Sequence, residues 1–124
     1  MKNFLLVFFL LIININFSFS ASSGSNENSN QKTNYEKAVS LIKAAKKYEK
    51  KGKVEKAEKR YQKAQKLLIK ANKKNPKNAD TLNYLGFTTR KLGNFEQGEK
   101  YYLQGLDINP NHIGINEYLG ELYV

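Results

Sequence analysis

From Asn34 onward, apolar residues return every three or four positions, the spacing of one face of a helix. Leu41, Ala44, Ala45 and Tyr48 form a first stripe. Val54, Ala57, Tyr61, Ala64, Leu68 and Ala71 form a second, unbroken one that predicts a long helix over 54–74. The punctuation between stripes is helical as well. Thr33 followed by Glu36 makes a capping box, so the first helix is predicted to start near Asn34. Gly52 fits the turn between the first two stripes. Asn78 can cap a helix over 79–92, and Gly93 ends it at a position suited to a positive φ. Asn94, with Gln97 three residues on, opens a further helix running to about Leu106. Pro110 prevents that helix from continuing, and a last one begins after Asn111-His112. The pattern predicts an all-α domain of about five helices over 34–124.

The segment ahead of these helices reads differently. Residues 4–13 are ten uninterrupted apolar residues behind a basic Met1-Lys2-Asn3 start, with Asn14, Asn16 and the small Ser18 and Ser20 following. Ten to fourteen apolar residues fall short of the roughly 20 that a membrane-spanning helix needs. The arrangement reads as a signal peptide over 1–20. The competing reading is an uncleaved membrane anchor. Both export the rest of the chain, to the periplasm or beyond the cell. Residues 21–33 are mostly Ser, Asn and Gly, with no apolar side chain larger than Ala21. Such a stretch buries too little to offset its ordering entropy, and reads as a flexible tether.

The helical part repeats itself. Asn75-Pro76 recurs as Asn109-Pro110, and Tyr84-Leu85-Gly86 recurs as Tyr118-Leu119-Gly120, both at an offset of 34. A 34-residue helix–turn–helix period with Leu82, Leu85, Gly86, Gly93, Gly98, Tyr102, Gly105 and Pro110 in sequence resembles the tetratricopeptide repeat family. The central unit, 79–112, departs at Thr89, where the family prefers Tyr, and at Gly98 and Gly105, where it prefers Ala. Both glycines are mid-helix and cost about 0.5–1 kcal/mol each relative to Ala. The need at such positions is small size, so that one helix can approach the other. The first unit, 38–78, carries a seven-residue insert before Pro76, about two helical turns, which leaves the apolar stripe in phase. The third, 113–124, has Leu119 and Gly120 but no second helix within the sequence. A fragment, a partner chain over the open end, or a frayed end would each account for it, and the first is favoured.

The resemblance implies a non-catalytic adaptor or scaffold whose first helices line a concave face that binds a peptide or helix of another protein. It places Asn83, Phe87, Arg90 and Lys91 of the central unit in that groove, with Asp80 beside them. Lys46 and Lys50 join from the first unit, next to Val39, Ile42 and Glu49, and Glu117 and Glu121 from the third. Asn83 can bond a peptide backbone, Phe87 can meet an apolar side chain or pack in the core, and Arg90 and Lys91 can pair with a carboxylate. The full carboxylate-clamp pattern of some family members is missing.

Charge adds a second candidate surface. Residues 32–77 carry a net +13 and residues 78–124 a net −3, within a chain of net +10. Lys56, Lys59, Lys63, Lys66, Lys70 and Lys73 alternate spacings of three and four, one stripe opposite the apolar one. It reads either as a face for an anionic surface or polymer or, as composition favours, as a solubilising face. Sequence-specific nucleic-acid reading is disfavoured, since Lys far outnumbers the two Arg residues. Membrane contact would come only through an uncleaved leader.

Composition argues against an enzyme. The chain has no Cys and one His, His112, so thiol chemistry and multi-His or Cys-ligated metal sites are excluded. Asp80, Glu96, Glu99 and Asp107 sit at surface-like helix positions with no nucleophile or base to complete them. His112 reads as a cap or solvated residue. No phosphate loop is formed by Gly86, Gly93 and Gly98, because no strand precedes them. No cofactor is expected.

Overall fold

A computed structural model describes residues 31–122. The readings on 1–20 and on most of 21–33 lie outside them. Five helices follow one another: α1 Asn34–Lys50, α2 Val54–Lys74, α3 Ala79–Lys91, α4 Phe95–Ile108 and α5 Ile113–Leu122. All described regular structure is helical.

The helix ends follow local chemistry. The Thr33 hydroxyl accepts from the Glu36 N–H at 3.2 Å, while the Thr33 N–H donates to the Glu36 carboxylate at 2.8 Å, completing the box before α1. That interaction holds the exposed Glu36 carboxyl below its ordinary range. Asn78 accepts from Thr81 N–H at 2.9 Å and Asn94 from Gln97 N–H at 3.1 Å; the box expected at Asn94 is present as this half. α1 and α3 end alike. Gly52 (φ 67°) and Gly93 (φ 93°) turn left-handed. Lys53 N–H then reaches Tyr48 C=O, and Asn94 N–H reaches Thr89 C=O. These are paired Schellman ends, which explains glycine at both turns. α4 runs two residues past the expected Leu106, and α2 has 21 residues to its 14, the seven-residue insert made into helix.

Two hairpins, α1–α2 and α3–α4, and the first helix of a third unit, α5, stack side by side. α1 packs on α2, α3 on α2 and α4, and α5 on α3 and α4. First helices also touch one another directly, α1 with α3 and α3 with α5, whereas α2 and α4 do not meet. The row of first helices is therefore the inside of the curve. The main core joins Ala38, Ile42 and Ala45 of α1 to Ala57, Tyr61, Ala64 and Leu68 of α2 and Leu82, Leu85 and Phe87 of α3. A second cluster joins Tyr102 to Ile115 and Leu119. Thr89, the departure from the family pattern, is buried and accepts from Gln65 Nε2 at 2.9 Å, so a polar contact ties α2 to α3 there.

Glycine sets the helix spacing. A Cβ on Gly86 would collide with the Tyr102 ring, and one on Gly105 with Ile115 Cδ1. At Gly98 it would lie 2.9 Å from Arg90 Cγ and 3.0 Å from the Gly86 carbonyl. The need for small residues at 98 and 105 is thus steric. Gly120, expected to pack in the same way, does not: nothing lies within 4 Å of its Cβ position. It is the 34-residue counterpart of Gly86, and no described helix stands where α4 stands for Gly86. Pro110 is also exposed, and serves the repeat by ending α4 and not by packing.

These contacts predict opposite outcomes for one substitution. Gly86→Ala should lower stability by about 1–2 kcal/mol, the overpacking cost less the gain in helix propensity. Gly120→Ala should raise it by about 0.5–1 kcal/mol, since only propensity changes. Urea unfolding midpoints at constant m-value measure both.

Candidate functional site

The aromatic residues of the core form a chain that crosses all three units. Tyr61 of α2 meets Phe87 of α3 edge-on at 5.8 Å between ring centroids. Phe87 meets Tyr118 of α5 at 5.3 Å, and Tyr118 stacks on Tyr102 of α4 at 5.7 Å. Each ring pair contributes about 0.5–1.5 kcal/mol beyond burial. Around Phe87 the first helices bring cations together. Lys46 Nζ lies 4.5 Å and Lys91 Nζ 5.7 Å from its ring centroid. Lys91 also donates to Glu49 at 3.1 Å, and the Tyr61 hydroxyl donates to the same carboxylate at 2.9 Å. The Lys91–Glu49 pair is part-exposed, so it orients more than it stabilises.

Beside this cluster, a cleft of about 340 Å³ is lined by Phe87, Arg90, Lys91, Phe95, Tyr118 and Glu121. Its floor is aromatic and its rim charged. Phe95, in the first turn of α4, is 60% exposed. Arg90 is half-buried, and its Nε donor has no hydrogen-bond partner among the described residues. Burial pushes the pKa of the Tyr102 hydroxyl behind it up, while the charge and close approach of Arg90 pull the other way. Burial also raises Tyr118, with the Glu121 charge adding to it. Tyr61 is raised by burial and then by its bond to Glu49.

The residues expected in the groove are not all brought together. Arg90 and Lys91 line the cleft, and Lys46 joins them over Phe87. Phe87 does both jobs left open for it: it is 6% exposed and mostly core, with one edge in the cleft wall. Asn83 is not the open backbone-bonding group that was expected. It is only 9% exposed, and a Cβ on Gly114 would lie 2.9 Å from its Nδ2, so α5 lies over it. Ile42 is 1% exposed and belongs to the core, because α2 and α3 cover that face of α1. Lys50 is exposed in the last turn of α1 and takes no part in these contacts. Tyr118 was missed as a wall of the site; its only sequence signal was the repeated Tyr-Leu-Gly word that sets it in register with Tyr84.

The other candidates fall away from this cleft. All six stripe lysines are exposed along α2. His112 is a cap: its Nδ1 accepts from Ile115 N–H at 3.2 Å, leaving Nε2–H to donate to Asp80 at 2.8 Å. The described residues contain no group of three or more His, Cys, Asp or Glu able to hold a metal ion.

With helix pairs, glycine contacts and 34-residue register in view, the comparison with known families is direct. A model of the tetratricopeptide repeat matches residues 55–122. The chain belongs to the tetratricopeptide repeat family. The match spans most of α2 through α5, and α1 completes the first pair. No curated protein matches the sequence. Members of this repeat family mediate protein–protein interaction and are typically non-catalytic.

The buried hydroxyls predict how stability depends on pH. Tyr35, pushed up to about 12 by burial and by Asp80, and Tyr61, Tyr84, Tyr102 and Tyr118, all raised, favour the neutral form in the folded state. A raised folded pKa gives stability that is complete below the unfolded value of about 10 and is lost as pH climbs past it. The urea midpoint should hold up to about pH 9 and then fall steeply. The tyrosinate absorbance of Tyr35, Tyr61, Tyr84, Tyr102 and Tyr118 should rise together with loss of helical circular dichroism, whereas Tyr48, which Arg60 lowers, titrates ahead of them. Ionisation of these five tyrosines with the helices intact would contradict this.

Proposed function

We propose that this chain is a non-catalytic adaptor that captures a short segment of another protein, an extended peptide or a helix, on the face formed by α1, α3 and α5. The observation that carries the reading is the cleft between Phe87, Phe95 and Tyr118, rimmed by Arg90 and Lys91. An aromatic floor takes an apolar or aromatic side chain. The cationic rim of Arg90 and Lys91 takes an acidic residue beside it. Glu121 on the opposite rim disfavours ligands that are acidic throughout. The preferred motif is one apolar anchor flanked by a carboxylate on the Arg90 side. Family membership supports protein binding in general, and the N-terminal run at 4–13 supports an exported setting, periplasmic or secreted.

A displayed peptide library tests the motif. Selected sequences should share an aromatic or large aliphatic residue within one or two positions of Asp or Glu. Arg90→Ala should weaken a selected peptide about tenfold, the scale of one lost charge-assisted hydrogen bond. Glu121→Gln should leave affinity for the same peptide unchanged or improve it. Enrichment of basic or purely polar sequences, or indifference to Arg90→Ala, would refute the motif.

A further inference from the structure

The convex side of the stack carries a surface with different chemistry. Lys56, Lys59, Lys63, Lys66, Lys70 and Lys73 are all exposed, on the face of α2 turned away from buried Ala57, Tyr61, Ala64 and Leu68. At 1.5 Å per residue the stripe is about 25 Å long. None of these lysines has an ion-pair partner among the described residues; Lys56 only approaches the Tyr48 ring, at 6.0 Å. No Asp or Glu occurs between Lys59 and Ala79, so nothing on the helix neutralises the stripe after its first turn and a half. α2 does not touch α4, so this face is not covered by the neighbouring second helix.

We infer that this face docks the protein on a bilayer rich in anionic lipid. Three observations select lipid over other polyanions. The charges are lysine, compact and strongly hydrated, suited to a diffuse layer of headgroup phosphates, and no stripe position holds the Arg fork that reads a base or grips one phosphate. Arg60, the one Arg of α2, lies over the Tyr48 ring at 5.5 Å instead. Ile69, 48% exposed, sits at the edge of the stripe within a turn of Lys66 and Lys73. An apolar residue there is useful at an acyl boundary, while the lysine stems run along it with their ammonium groups in the headgroup layer. Finally, residues 78–124 carry a net −3, which an anionic surface repels. The field therefore orients the molecule with α2 down and the α3–α5 cleft outward. This inference does not depend on what the cleft binds.

Lysine acetylation of the full chain, read by mass spectrometry residue by residue, tests it. Residues 4–13 can enter a bilayer by themselves, so local shielding is the measurement and total binding is not. On vesicles of phosphatidylglycerol and phosphatidylcholine, Lys59, Lys63, Lys66, Lys70 and Lys73 should label about tenfold more slowly than on phosphatidylcholine alone, with Lys91 and Lys100 unchanged. Raising salt to about 1 M, where screening acts within about 3 Å, should abolish the difference. In the variant Lys63→Gln, Lys66→Gln, Lys70→Gln, contact should fall about a hundredfold, at about fivefold per lysine, and Lys59 and Lys73 should label freely. Lys100→Glu with Gln104→Glu removes the same net charge from α4 and should leave the shielding intact. Equal labelling on both vesicle types, uniform shielding of every lysine, equal loss in the two variants, or protection by a DNA duplex with none on vesicles would each overturn the assignment.

Discussion

The ring of Tyr102 lies on the bare backbone of Gly86, and the rest of the site depends on that approach. A side chain at 86 would hold α4 away from α3. Because there is none, Tyr102 is wholly buried, and its ring is placed for Tyr118 to stack on. Tyr118 brings α5 across α3, where Gly114 passes close over Asn83 and Ile115 closes against Gly105. Phe87 then finds Tyr118 on one side and Tyr61 on the other. The cleft is what remains between these rings and the start of α4. Fold and site are the same set of contacts here, so substitutions that loosen the glycine seam will also reshape the cleft.

The stack presents two chemically different sides. First helices meet on the inner side of the curve and bring Lys46, Glu49, Phe87, Lys91 and Tyr118 within reach of each other. The outer helix α2 instead turns to solvent a row of lysines with no ion-pair partner among the described residues. A protein built this way can present two kinds of recognition without either surface obstructing the other, because they lie on opposite sides of the stack.

Much of the fold was legible from short-range patterns. The apolar period, the caps Thr33, Asn78 and Asn94, and the turn glycines 52 and 93 are local signals, and each helix began where its signal placed it. The steric role of Gly98 and Gly105 was legible too, since glycine in a helix interior costs stability and calls for a close neighbour. Gly120 carried the same signal, with no described neighbour to answer it.

The candidate site was read less well, for a physical reason. The repeat resemblance assigned Arg90, Lys91 and Lys46 to the inner side, and helix periodicity says only which residues share a face. It says nothing of how far the next helix slides across that face. That offset is settled by ring stacking and by the glycine contacts between residues distant in sequence. It left Phe87 partly open, covered Asn83, and promoted Tyr118 from a repeat marker to a wall of the cleft. Residue order determined the helices, their ends and the exposed lysine face; only the packing of α5 over α3 decided which inward residues a partner can reach.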